Sequence, residues 1–192
     1  LKWDISKYEI IHEPIENNTA SIAAKLASEG KIRIIVKGHI HTDVLMKEVL
    51  KREYNLLGKT RLSHIWHMTL NKEDKPLIIT DGALNVLPNL KTKMHILKNV
   101  INFSNRIGIE KPKVAILSAT EEVLESIPSS KEAEELTKLA IKENLKWDIS
   151  KYDIIHEPID NNTASIAAKL ASEENIRIIV KGHIHTDVLM KE

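Results

Sequence analysis

Cysteine is absent from the sequence, so disulfides, thiolate catalysis and cysteine-ligated zinc are excluded. Aromatic residues are few, one Phe, three Trp and three Tyr in 192 residues, so the core must be built from aliphatic side chains. Neither sign of charge dominates. With 28 basic and 27 acidic residues the net charge is +1, which gives no general attraction to nucleic acid or to an anionic membrane. No apolar run approaches the roughly 20 residues that span a bilayer, and the N-terminus lacks a signal-peptide pattern, so a cytoplasmic protein is expected. The first residue is Leu rather than Met, as at a cut edge. The length suits one domain or two small ones.

What the chain does have is a repeat. Residues 1–48 recur as residues 145–192 with four differences: Glu9/Asp153, Glu16/Asp160, Gly30/Glu174 and Lys31/Asn175. Two of these exchange one acid for the other. The remaining two lie together where a helix should end, and Gly30 in one copy and Asn175 in the other can take the left-handed conformation that ends it. Solenoid repeats share a pattern and diverge elsewhere, so such identity reads as a recent duplication with a period of 144 residues.

Within the first copy, Tyr8 to His12 reads as a short strand that Pro14 ends. Asn17, Asn18 and Thr19 offer caps for a helix through Glu29, with Ile22, Leu26 and alanines on one face. Ile32 to Val36 is apolar enough for a strand buried on both faces, as parallel strands are. A helix from Asp43 to Glu53 completes a βαβα unit over residues 1–53. Leu62 to Leu70 and Leu77 to Thr80 pair as a hairpin, with Trp66 read as one of its core residues. A helix runs from about Leu90 to Asn105, with Leu90, Met94, Leu97 and Ile101 on one stripe, Lys91, Lys93 and Lys98 on its wet face, and Gly108 ending it. Val114 to Leu117 is another core strand, and Ser129 with Glu132 makes a capping-box pattern for a helix through about Glu143. The second copy then begins, and its last helix, Thr186 to Glu192, is short.

The stretch Val36-Lys37-Gly38-His39-Ile40-His41-Thr42 occurs in both copies. A strand that ends in Lys-Gly and turns into a helix at Thr42 suits an anion, because helix N–H groups carry partial positive charge and the Lys adds a full one. The same residues also suit a plain junction, with Gly38 for the bend and Thr42 as the N-cap. Open α/β sheets bind ligands beyond the carboxyl ends of parallel strands. Polar clusters sit at three such ends: Lys37, Gly38 and Thr42; Asp81 and Asn85; and Ser118 to Thr120. Ser63 and His64 make a fourth. These point to a cleft for a polar ligand.

The order KGHIHT (37–42), RLSH (61–64), ITDGALNVLP (79–88), KVAILSATE (113–121) and IPSS (127–130) resembles the phosphate acetyltransferase and phosphate butyryltransferase family, over residues 1 to about 140. The resemblance implies an α/β fold, a parallel-sheet α/β/α sandwich of the isocitrate-dehydrogenase-like type, here incomplete. It also implies transfer of an acyl group between coenzyme A and phosphate, both as substrates and with no cofactor. Lys37, Gly38 and Thr42 would hold phosphate or coenzyme A, with Ser63 and His64 beside them, Asp81 and Asn85 opposite, and Ser118 near the acyl group; no general base is assigned. The family continues beyond Ser130 into a Gly-Pro-Leu-x-x-Asp-x-Ala type motif, whereas this chain re-enters its own leading segment. The expected organisation is therefore a partial domain over 1–144, followed by a second copy of the leading unit over 145–192, with weak or no activity.

Two other readings compete. A non-catalytic α/β remnant would self-associate, for example as a homodimer. A metal-dependent hydrolase would use His39, His41, His64 and His67, but no carboxylate is placed to join them, and His64 and His67 would face opposite sides of a strand. Small molecules are the expected partners, with no nucleic acid and no membrane. Because Glu48 continues natively into Val49 and Leu50, the first copy is expected to fill the sheet and the second to form a less protected appendage.

Overall fold

The computed structural model describes residue 4 and residues 6–69, 76–118, 123–143, 163–173 and 178–180. The chain divides into two compact units, Leu1–Lys59 and Thr60–Glu192.

In the first unit, helix α1 (Glu16–Ser28) and helix α2 (Thr42–Val49) pack together, followed by a 3-10 turn at Arg52–Tyr54. Ala20 and Ala24 are the buried side chains of α1. The Ser21 and Tyr54 hydroxyls lie 3.0 Å apart, which fastens the 3-10 turn to α1. The α1 terminus follows the expected chemistry. Gly30 has φ +71°, its N–H donates to the Ala27 carbonyl, and the Lys31 N–H donates to the Leu26 carbonyl. Both late carbonyls of the helix are thereby satisfied. At its start, Ile15 rather than Asn17, Asn18 or Thr19 is the N-cap, and no side chain caps it.

The second unit holds a four-stranded sheet. Strands β1 (Ile65–Met68) and β2 (Leu77–Thr80) form the expected antiparallel hairpin, with Ile65 opposite Thr80. Strand β3 (Val114–Ile116) and strand β4 (Ile178–Val180) complete it in the order β1-β2-β4-β3, and β4 runs parallel to both neighbours. Helices α3 (Leu90–Arg106) and α4 (Pro128–Lys142) share one core with Ile78, Ile178 and Val180. On the opposite face Ile79 and Ile179 pack with Ala167 of helix α5 (Thr163–Glu173), so successive β4 residues serve the two cores in turn. This is an α/β/α arrangement.

Helix α3 begins where Asn89 accepts a hydrogen bond from the Thr92 N–H (3.0 Å) and ends at Gly108, φ +92°. Its stripe is buried as expected at Met94, Leu97 and Ile101. Lys91 is exposed as expected, but Lys93 is largely buried against Glu132 and Lys98 pairs with Glu143, so the supposed wet face is partly the seam with α4. The capping box proposed for α4 is also absent. Ile127 is the N-cap, Pro128 opens the helix, and Ser129 turns its hydroxyl to Ser118 instead.

The main correction concerns the repeat. No strand forms at Tyr8 to His12 or at Ile32 to Val36. The slot between β2 and β3 takes one strand, and the second copy fills it. Ile178, Ile179 and Val180 are buried, while their counterparts Ile34 and Val36 are 79% and 89% exposed. The expectation that the first copy would fill the sheet is reversed, because a strand without a pairing partner has nowhere to place its backbone hydrogen bonds. The corresponding strand at 152–156 and the helix at 186–192 lie outside the described residues.

Candidate functional site

The carboxyl end of β2 is the best-built polar region. Thr80 is buried, and its hydroxyl donates to the His64 carbonyl at 2.9 Å, which fixes the start of β1 against the end of β2. Asp81 follows and is also buried. One of its oxygens accepts from the Ala83 and Leu84 N–H groups, both at 3.0 Å, and the other accepts from Asn85 Nδ2 at 2.5 Å. Asn85 Nδ2 also donates to the Leu62 carbonyl at 3.0 Å. The loop from 81 to 85 is thus folded around one carboxylate and tied to the segment before β1. Asp81 is a brace: three hydrogen bonds from its own loop converge on its carboxylate.

Ser63 and His64 are held by that segment. Asn99 on α3 donates to the Arg61 carbonyl (2.8 Å) and to Ser63 Oγ (2.9 Å). The Arg61 guanidinium donates to Thr92 Oγ1 at 3.1 Å. Arg61 is a cation beside the cluster that the choice of site residues passed over, although it stands in the RLSH stretch; Asn99 and Thr92 carried no signal beyond their place on a helix. His64 lies edge-on to Trp66, with centroids 5.2 Å apart, and its Nδ1 is buried without a hydrogen-bond partner. Trp66 is 41% exposed, so it is not the hairpin core residue expected; it covers Gly82, where a Cβ would stand 2.4 Å from the indole nitrogen.

At the end of β3 the half-buried Ser118 hydroxyl lies 3.0 Å from that of Ser129 in the first turn of α4. Strand β4 separates this site from the β2 end. Val180 is in register with Thr80 and with Ile116, and its carbonyl accepts the Leu117 N–H at 2.9 Å. Three strand ends therefore lie level, and two strand spacings put the β2 and β3 ends about 10 Å apart.

Lys37, Gly38 and Thr42 belong to the first unit, not to the unit that holds Ser63, His64, Asp81, Asn85 and Ser118. Lys37 is exposed and its Nζ donates to the Ile40 carbonyl at 3.2 Å. Gly38 stands in open space. Thr42 is the first residue of α2 rather than its cap; His41 occupies the cap position without a side-chain bond. The second-copy equivalents, Lys181, Gly182 and Thr186, lie outside the described residues. His67 packs edge-on against Phe103, and among the described residues no three His, Asp or Glu side chains are grouped to hold a metal ion. Nor is any helix among them long and apolar enough to cross a membrane.

Level parallel strands with polar loops at their carboxyl ends define an α/β protein of the open-sheet class, in which ligands as a rule sit beyond those ends. The chain belongs to the phosphate acetyl/butaryl transferase family, whose model matches residues 2–150. It is 39% identical over 139 residues to a phosphate acetyltransferase of Rhizobium meliloti, covering 72% of this chain and 44% of that protein. It is 34% identical over 146 residues to a phosphate butyryltransferase of Clostridium acetobutylicum, covering 76% and 48% respectively. Among solved structures, a branched-chain phosphotransacylase from Enterococcus faecalis superimposes with a TM-score of 0.69 at 28% identity, over 90% of this chain and 62% of that one. The chain therefore spans about half the length of these curated relatives, and its fold is that of the phosphate acyltransferases.

Proposed function

We propose that this chain carries one wall of a site exchanging an acyl group between coenzyme A and phosphate (acyl-CoA + phosphate ⇌ acyl phosphate + CoA), with weak or no turnover of its own. The observation that supports this reading is the convergence of Ser63, His64, Asp81 and Asn85 at the end of β2, level with Ser118 at the end of β3. Serine hydroxyls are donors suited to phosphate oxygens, and Arg61 adds positive charge beside them. Asp81 shapes the loop. On the family resemblance Lys37, Gly38 and Thr42 would hold phosphate or coenzyme A at the turn ahead of α2, within the first unit.

Low turnover follows from what this wall offers. Acyl transfer needs preorganised donors around the developing oxyanion and a group to take the thiol or phosphate proton. The residues here supply hydroxyl donors and a brace, and the brace carboxylate accepts three hydrogen bonds from its own loop. Coenzyme A and phosphate are substrates, and no cofactor is invoked. The test is release of free CoA from acetyl-CoA or butyryl-CoA with and without phosphate, alongside calorimetric titration of CoA and of phosphate. Measurable binding without phosphate-dependent turnover in the enzymic range, about 1–1000 per second, is expected. Robust turnover would remove the inactivity, and absence of binding would remove the wall.

A further inference from the structure

We propose that the slot between β2 and β3 has a second occupant in the same chain: Ile34, Ile35 and Val36 of the first copy can replace Ile178, Ile179 and Val180. The proposal concerns strand exchange and does not rest on the acyl-transfer reading.

The environment of β4 cannot tell the two copies apart. The strand sequences are identical from Ile32 to Thr42 and from Ile176 to Thr186. The helix ahead of each is identical as well, Thr19–Glu29 and Thr163–Glu173, so the Ala167 that covers Ile79 and Ile179 has its equal in Ala23. The backbone anchors of β4, the Ile178 N–H to the Lys113 carbonyl and the Val180 carbonyl to the Leu117 N–H, require no particular side chain. The first-copy segment is also unsatisfied where it stands. Ile34 and Val36 are largely exposed, as are Tyr8, Ile10 and Ile11 ahead of them. The family match spans residues 2–150, so the first copy and the hairpin that follows it both lie within the matched range.

Exchange would have a consequence at the strand ends. Val36 in the place of Val180 would be level with Thr80 and Ile116, and Lys37 would leave the sheet beside Asp81. The anion-holding stretch of the first unit would then join Ser63, Asp81 and Ser118. Withdrawing a central strand is a sub-global opening, so the two states would interconvert slowly.

Hydrogen exchange of the full chain, read by mass spectrometry, tests this. Peptides that extend back through Gly30-Lys31 or Glu174-Asn175 distinguish the copies by mass. In the parent chain, residues 178–180 should exchange slowly and residues 34–36 fast. Ile178→Asp, which places a carboxylate in the buried sheet, should leave a folded monomer in which the 34–36 amides slow by about two orders of magnitude or more. Ile34→Asp should leave the parent pattern intact, and the Ile34→Asp/Ile178→Asp double variant should lose the sheet. The proposal is overturned if Ile178→Asp unfolds the second unit, if the chain stays folded with 34–36 still fast, if protection arises only in a species of doubled mass, or if the double variant keeps the sheet.

Discussion

Asp81 offers the sharpest check on how the loop after β2 is held. Its carboxylate is buried and accepts three hydrogen bonds, from the Ala83 and Leu84 N–H groups and from Asn85 Nδ2. Bonds to a charged group contribute about 1.5–3 kcal/mol each. Ala83 is exposed, so its N–H finds water once the carboxylate is gone, and two bonds remain to be counted. Asp81→Ala should therefore cost about 3–6 kcal/mol. Asp81→Asn keeps one oxygen for the two N–H groups but turns an amide NH2 toward that of Asn85. Asn85 cannot escape by turning over its own amide, because the same Nδ2 holds the Leu62 carbonyl. One bond is then lost and one donor left opposed, for about 1–3 kcal/mol. In urea, with a slope of about 2 kcal/mol/M, the Ala variant should shift the midpoint by about 1.5–3 M and the Asn variant by about 0.5–1.5 M. A double-mutant cycle with Asn85→Ala should return a coupling of about 1 kcal/mol or more. Equal stability of Asp81→Asn and the parent chain, or additivity in the cycle, would refute the brace.

Gly82→Ala must displace the Trp66 indole, since the new Cβ would lie 2.4 Å from Nε1, 2.7 Å from Cδ1 and 3.0 Å from His64 Nδ1. A loss of about 1–3 kcal/mol and altered tryptophan emission, absent when Trp66 is first replaced by Phe, are expected. Gly108 ends α3 at φ +92°, so Gly108→Ala should cost about 1–2 kcal/mol for left-handed strain. Gly58, which has open space around it and no positive φ, is the control, and Gly58→Ala should leave the melting curve almost unchanged.

Much of the second unit was legible because local signals and packing agree there. Leu77 to Thr80 and Val114 to Ile116 are short apolar runs, and they are strands. The stripe from Leu90 to Ile101 and the stop at Gly108 mark α3 to within a residue. The failures have a common cause. Trp66, Lys93 and Ser129 were each assigned by residue type, as core, wet face and capping position. In the fold a neighbour distant in sequence decides each instead: Gly82 under the indole, Glu132 beside the ammonium, and Ser118 against the hydroxyl. At the site, the strand-end rule placed Asp81 and Ser118 among the candidates, but nothing in the letters distinguished a ligand-facing carboxylate from one closed on its own loop. Arg61, a lone arginine between two elements, has no periodicity to stand out from.

The repeat shows most directly why pattern alone cannot assign a strand. One sequence, Ile-Ile-Val between Arg and Lys, is a fully buried central strand at 178–180 and an exposed irregular segment at 34–36. Its β propensity is the same in both places, so propensity is not what separates them. What separates them is access to the open edges of β2 and β3, which supply the hydrogen bonds and the two aliphatic faces together. The helix ahead of the strand responds in the same way. In α1 the buried alanines are Ala20 and Ala24, whereas in α5 the stripe of Ala167 and Ala171 turns to the sheet, and these correspond to Ala23 and Ala27. A small-residue helix with alanines on adjacent stripes can offer either face at little steric cost. That tolerance lets one copy stand without its strand while the other completes the sheet.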